Sequence, residues 1–244
     1  MRRSSKVLIA GVLATTVLAA VVALAQRRPN CASFDADRIA YLEKAGWQAY
    51  YDRDWLAVLA LMVQMNRTQF CMSWLDATLA ALDVVRASAA FAPVDNDIAA
   101  ATAHLEHFYA KARASTWLRT DAATLAALEM DYWVVHRKLA AARKAAPDHA
   151  GDITPMVAAL ETLHDALFDA PPAAIRRAAE RRAQAAVIVD RITGGYSDDV
   201  AADWQAIEQL LRAAYRAVIP VPIGTRLRTD AVETEQREQQ VNSN

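Results

Sequence analysis

The sequence predicts an all-α protein, with an N-terminal transmembrane helix followed by a bundle or helical-hairpin array of about eight helices. Three observations predict this fold. A long uncharged stretch lies near the N-terminus, Gly is scarce at 6 residues, and 55% of the residues are hydrophobic. The abundant Ala, Leu and Arg favour helix, and scarce Gly leaves few sites for tight β-turns. No run of alternating apolar and polar residues predicts a convincing strand.

Residues 1–25 are predicted to form a transmembrane anchor or an uncleaved signal. The 19 residues from Val7 to Ala25 carry no charge. A helix of that length is close to the roughly 30 Å hydrocarbon core of a bilayer. We therefore expect contact with the lipid bilayer through residues 7–25. The alternative is secretion, because "ALA" at 23–25 fits a signal-peptidase site and would allow cleavage near Ala25.

The bases around this stretch predict its orientation. Arg2, Arg3 and Lys6 precede it, and Arg27 and Arg28 follow it. The positive-inside rule then places the N-terminus in the cytoplasm and the rest of the chain outside. The protein is therefore expected to be a single-pass membrane protein with an extracytoplasmic helical domain.

The chain has two cysteines, Cys31 and Cys71. An extracytoplasmic compartment would allow them to pair. Cys71 lies between Phe70 and Met72, however, where it is expected to pack as a small hydrophobic residue. The sequence leaves the pairing open.

Residues 26–34 are predicted to be a linker, and residues 35–219 an all-helical domain. Its first helix starts near Asp35 and ends in "YYDRDW" at 50–55, where Asp54 can cap the second helix. Ser73 and Asp76 resemble a capping box and open a third helix. That helix carries Leu75, Leu79, Leu82 and Val85.

The second half of the domain follows the same rules. Asp97 can cap a fourth helix, and Asp121 opens a fifth, which contains "LEMDYWVVHRK" at 128–138. Thr154 is expected to cap a sixth helix because Pro155 suits a first helical position. "DAPPAA" restarts the chain into a seventh helix, and "GGYSDD" at 194–199 ends it and caps the eighth. Residues 220–244 are polar and predicted to be a disordered tail.

The segment "AGWQAYYDRDWLAVL", residues 45–59, resembles a tetratricopeptide hairpin, with aromatic residues around a charged turn. The resemblance covers one hairpin and implies no more than two antiparallel helices there. No 34-residue period recurs along the chain, so a compact bundle and a stack of hairpins both remain open.

Five residues form a candidate metal site. Glu161 and His164 are spaced as Glu-x-x-His, so on a helix they share a face and can bind one metal ion. Carboxylate di-iron bundles use two such motifs and two further glutamates. Glu106 and Glu129 could supply those carboxylates, with His136 two helical turns after Glu129. A second Glu-x-x-His is missing, which weakens this prediction.

Two neighbouring patterns have simpler explanations. Glu129, Tyr132 and His136 are expected to belong first to a structural hydrogen-bond network, because unpaired buried polar groups are costly. His104 and His107 lie one helical turn apart, but zinc would need further ligands nearby. The more ordinary interpretation of that pair is a polar outer face with Lys111 below.

The sequence excludes some functions more firmly than it supports any. A net charge of −1 argues against a nucleic-acid partner. The predicted function is a membrane-anchored extracytoplasmic helical domain that binds or scaffolds another protein, with no cofactor. The alternative is a metal-dependent, di-iron-like helical-bundle enzyme, using iron or zinc at the five residues above. Catalytic residues, and whether the protein is an enzyme at all, stay open.

Overall fold

The structure is a computed structural model, and it describes residues 15–17, 19–29, 34–116, 118–145 and 151–219. Every regular element in these ranges is helical, and they contain no strand. The predicted all-α class is therefore confirmed. The predicted tail, residues 220–244, and Cys31 lie outside the described residues.

Eight helices follow one another from residue 36 to residue 217 of the described chain. They are α1 Ala36–Tyr51, α2 Trp55–Phe70, α3 Trp74–Phe91, α4 Ile98–Ser115, α5 Ala122–Ala145, α6 Thr154–Leu167, α7 Pro172–Gly194 and α8 Val200–Ala217. Residues 15–17 and 19–25 are helical as well.

The part of the chain that the structure describes contains no helix both long enough and apolar enough to cross a membrane. The predicted span, residues 7–25, is described only at 15–17 and 19–25. The transmembrane helix therefore stays a prediction.

Side-chain caps begin most of these helices where the sequence predicts them. Asp54 accepts a hydrogen bond from the Ala57 amide at 3.0 Å, and Ser73 accepts one from the Asp76 amide at 3.0 Å. Asp97, Asp121 and Asp199 accept equivalent bonds at α4, α5 and α8. Each cap satisfies an amide that has no partner inside its helix.

The predicted cap of α6 is wrong. The helix begins at Thr154, and the residue before it, Ile153, makes no side-chain capping bond. Asp152 instead accepts a hydrogen bond from the Thr154 amide at 2.8 Å. The Asp152 carboxylate therefore provides the capping hydrogen bond that was expected from the Thr154 hydroxyl.

The chain divides into two compact units. The first comprises Met1–Asn30 and Leu42–Met130, and the second comprises Cys31–Tyr41 and Asp131–Asn244. Of the three boundaries, those at 41/42 and 130/131 fall inside helices α1 and α5, and the third lies at 30/31, in the predicted linker. The sequence predicts a single domain over residues 35–219 and does not indicate this division into two units.

In the first unit α2, α3 and α4 pack on one another. Small side chains form much of this interface: Ala77, Ala80, Ala81, Ala101 and Ala112 are fully buried. Phe70 and Phe108 meet edge to face, with ring centroids 5.7 Å apart. Close helix packing through Ala brings the polar residues at the centres of α3 and α4 near each other.

In the second unit α7 packs on both α6 and α8. A core of Tyr132, Met156, Leu160, Ala179 and Ala183, with neighbouring residues, joins α5, α6 and α7. Gly195 ends α7 in the left-handed conformation, with φ of 78°. Glycine adopts that conformation without a Cβ clash, so the chain can turn sharply into α8.

Candidate functional site

The turn between α1 and α2 exposes four large apolar side chains: Tyr50, Tyr51, Trp55 and Leu56. We call them the turn cluster. Leu56 is 82% exposed and Trp55 is 59% exposed. The Tyr50 ring contacts both Tyr51 and Trp55 edge to face, with centroids 5.3 and 5.7 Å apart. These rings therefore support one another while their outer surfaces face solvent.

The backbone of this turn is constrained. Asp54 caps α2, which fixes the direction in which Trp55 and Leu56 leave the turn. Arg53 has φ of 60°, a left-handed conformation that non-glycine residues rarely adopt. Such conformations persist where the surrounding structure holds them, and they are frequent at functional sites.

The opposite end of α2 contacts the segment that follows the predicted anchor. The Arg67 guanidinium donates to the carbonyl of Arg27 at 3.1 Å and to the carbonyl of Met72 at 3.2 Å. It also lies 3.8 Å from the centre of the Trp74 ring, a cation–π contact. Arg67 therefore ties residue 27 to the start of α3.

Cys71 is disulfide-bonded, and the described residues contain no free cysteine. Cys31 is the only other cysteine of the sequence. Cys71 ends α2 in a left-handed conformation, with φ of 55°. The expectation that Cys71 packs as a small hydrophobic residue is therefore wrong, because its sulfur is used in a covalent bond.

Two residues of the predicted metal site, Glu106 and Glu129, lie in the first unit. Glu106 is exposed on α4. Glu129 accepts a hydrogen bond from the Tyr109 hydroxyl at 3.0 Å. The bond to Tyr109 gives Glu129 a structural role between α4 and α5.

His136, from the second unit, takes part in a polar network around Asp190. Because a carboxylate only accepts, His136 donates from Nε2 to Asp190 Oδ1, at 3.0 Å. The buried Arg143 guanidinium donates to Asp190 Oδ2. The imidazole also stacks on Tyr132, with ring centroids 5.8 Å apart and planes 8° apart. His136 therefore belongs to a hydrogen-bond network, as expected, and the carboxylate of that network is Asp190.

Glu161 and His164, also in the second unit, have different surroundings although they share α6. Glu161 is partly exposed, and its carboxylate lies 4.0 Å from the guanidinium of Arg176 on α7. His164 is buried at 2% exposure against Phe168. Burial, followed by the charge of Arg182, lowers the pKa of His164 from 6.5 to about 3. His164 is therefore a neutral imidazole at physiological pH.

The structure assembles a different group of possible metal ligands. Asp83 of α3 with His104 and His107 of α4 offer three ligand atoms within 4.8 Å of one another. In the described parts of the chain this is the only group of three or more His, Cys, Asp or Glu side chains that meets this distance, and it includes none of the five predicted residues. The prediction of a site at those five residues remains untested.

Sequence reasoning identified His104 and His107 but missed Asp83. A signal was present: α3 and α4 form a hairpin around the turn at residues 92–97, so residues at equal distances from that turn lie side by side. Asp83 and His107 are nearly equidistant from it. A lone aspartate within an apolar helix gave no motif by itself.

Comparison of the chain with protein-family models, with curated proteins and with solved structures found no match.

Proposed function

We propose that the chain is a membrane-tethered extracytoplasmic module that binds another protein through the turn cluster. The observation that carries the proposal is the exposure of Trp55 and Leu56 beside two tyrosines that meet edge to face. Contiguous apolar surface of this kind is unfavourable in water and marks interaction sites. Trp and Tyr are also the residues that most often dominate protein–protein binding energy.

The tether in this proposal is the uncharged stretch at residues 7–25. Within it Val17, Val21, Val22 and Leu24 are each about half exposed on a helix. A bilayer would cover such side chains, and the bases on both sides would remain in water. The cytoplasmic N-terminus follows from the larger number of bases before the stretch.

The disulfide at Cys71 supports an extracytoplasmic location for the helical units. Disulfides form and persist in oxidising compartments, and cytoplasmic thiol systems keep most cysteines reduced. The orientation given by the bases and the chemistry of Cys71 therefore agree.

The two ends of α2 would have different roles. Arg67, near its C-terminal end, contacts Arg27, which comes directly after the tether. Trp55 lies 12 residues earlier, about 18 Å away along the helix. The tethered end would then lie near the bilayer, with the turn cluster presented at the end farther from it.

The charges around the turn cluster indicate the chemistry of the partner. Asp52 and Asp54 border the cluster, and Arg53 lies between them. An apolar pocket with a basic rim on another protein would complement the rings and the two carboxylates. We therefore commit to a partner protein of that kind, rather than a second copy of this chain or lipid.

Photo-cross-linking in intact membranes tests this proposal. A photoreactive aromatic amino acid replaces Trp55 in the full chain, and the matched control carries it at Val94. Val94 belongs to the same unit and is 103% exposed, but it lies in the turn between α3 and α4. We expect a discrete adduct with a second protein from position 55 and none from position 94.

A second variant shows whether the adduct depends on the surface of the turn cluster. Leu56→Glu places a charge on the most exposed of its side chains and should leave the helical circular dichroism unchanged. It should reduce the adduct from position 55 several-fold. The proposal is overturned by identical adducts from both positions, by no adduct, by an adduct of twice the chain's own mass, or by cross-linking only to lipid.

A further inference from the structure

We infer that Asp83, His104 and His107 bind a Zn²⁺ ion, with a fourth coordination position open to water. This inference does not rest on the proposed function. It starts from one group of side chains at the interface of α3 and α4, both within the first unit.

The spacing of the three ligand atoms suits a single ion. His104 and His107 are three residues apart on α4, so both project from one face, and their ring centroids are 6.3 Å apart. All three ligand atoms lie within 4.8 Å of one another. Tetrahedral zinc with ligands at about 2.1 Å needs separations near 3.4 Å. The three side chains must therefore move closer together to bind the ion.

The burial of Asp83 and of one nitrogen of the partly exposed His104 separates this group from an ordinary surface cluster. Asp83 is 5% exposed although it carries a carboxylate. The Nδ1 atom of His104 is buried and has no hydrogen-bond partner. Buried polar atoms in native structures normally have a partner, so the unpaired Nδ1 of His104 supports the binding of a ligand to this group. His107 is exposed and leaves a path from solvent.

Two cations lie beside Asp83: Arg86, which is 3.5 Å from Oδ1 and mostly exposed, and Lys111, which is closer. Its ammonium donates to Asp83 Oδ2 at 2.6 Å, and its side chain is 30% exposed. A long, partly exposed lysine can turn out to solvent when a cation of higher charge takes its place. Lys111 would then compete with the metal for Asp83, and metal binding would be weaker than the ligands alone allow.

The donor atoms favour zinc over other common ions. Two imidazoles and one carboxylate with an open position form a typical zinc ligand set, whereas Mg²⁺ and Ca²⁺ prefer oxygen ligands alone. Zinc also has no redox chemistry, so an oxidising compartment does not change its binding.

The test measures zinc binding to the full chain in detergent, purified without a polyhistidine tag. Equilibrium dialysis gives the stoichiometry and the affinity, and Co²⁺ in place of Zn²⁺ reports four-coordinate geometry by its visible absorption. We expect one ion per chain. His107→Gln should weaken binding more than about tenfold, because it removes a direct ligand. Arg113→Gln is the matched control: it changes another exposed side chain on α4 and should leave binding unchanged.

Lys111→Gln separates a metal site from a simple ion pair. If Lys111 competes with zinc, this variant should bind zinc several-fold more tightly, and zinc should raise its melting temperature more than that of the natural chain. The inference is overturned if the natural chain binds no zinc, if His107→Gln binds as well as the natural chain, or if Lys111→Gln binds more weakly. His107 is exposed, so its substitution tests the site even if His104 variants do not fold.

Discussion

Asp190 is the buried residue on which the polar network of the second unit depends. It accepts from His136 and from Arg143, and both the Asp190 and the Arg143 side chains are almost fully buried. His136 and Arg143 thus share the carboxylate of Asp190. Removing the carboxylate leaves the buried Arg143 and the partly exposed His136 without their partner, whereas removing His136 leaves Asp190 still paired with Arg143.

Asp190→Asn is therefore expected to destabilise the protein more than His136→Ala. Breaking a buried ion pair by removing one partner costs about 3–5 kcal/mol, and losing one hydrogen-bond partner costs about 1–3 kcal/mol. Urea unfolding of both variants, followed by circular dichroism, gives the comparison. An equal or smaller loss in Asp190→Asn would contradict this assignment of roles.

His164 should make stability depend on pH. Its pKa is about 3 in the folded protein, against an ordinary 6.5, because it is buried and then because Arg182 is nearby. The unfolded chain therefore binds the proton first as pH falls. The contribution of His164 to the free energy of unfolding is fully present above pH 6.5 and is lost progressively as the pH falls towards 3.

Between about pH 7.5 and about pH 5, the free energy of unfolding should fall by about 2 kcal/mol on account of His164. His164→Leu should flatten this dependence. Urea titrations at the two pH values measure the difference. A pH dependence that is unchanged in His164→Leu would mean that other groups cause it.

The sequence singled out His136 and His104, but it did not identify the carboxylates that lie beside them, Asp190 and Asp83. In each pair the histidine belongs to a recognisable local pattern on its own helix. The carboxylate comes from another helix, 54 residues away in the first pair and 21 in the second. Such pairings depend on which helices pack together, and helical periodicity within one segment carries no information about that.

At the scale of single helices, the sequence predicts where a helix begins better than which face it buries. Five side-chain caps form as expected, because a cap needs only residues within one turn. In α3, most of the large apolar residues that were expected to face the core are not buried. Leu75, Leu79 and Val85 are exposed, whereas Ala77, Ala80 and Ala81 are buried. Alanine is too small to stand out in a hydrophobic pattern, although close helix packing selects it.

Leucine is usually the more costly residue to change, but on α3 a change at a buried alanine should destabilise the protein more than a change at an exposed leucine. Ala80→Leu inserts a bulky side chain into a fully buried position and should cost about 1–3 kcal/mol. Leu79→Glu changes a side chain that is 42% exposed and should change the free energy of unfolding by less than about 1 kcal/mol. Thermal melts of both variants decide the matter. A larger loss in Leu79→Glu would show that something covers this face.

For the whole molecule, the division into two units is what the sequence did not indicate. Each unit combines two separate segments of the chain, and two of the three boundaries lie within the continuous helices α1 and α5. No loop, proline or change of composition marks those positions. Linkers can be recognised from composition, but a division inside a helix depends on tertiary contacts.

The disulfide and the predicted topology lead to one further expectation for the complete chain. If the helical units lie outside the cytoplasm, both cysteines should be oxidised in cells. A thiol-reactive polymer added to the denatured full chain should then label neither cysteine without reductant and both after reduction. A chain that lacks residues 1–25 and stays in the cytoplasm is the control, and it should be labelled at both cysteines without reductant. Reduction of the natural chain should also lower its free energy of unfolding by about 2–4 kcal/mol, because the unfolded state gains freedom. Full labelling of the natural chain before reduction would contradict both the disulfide and the extracytoplasmic location.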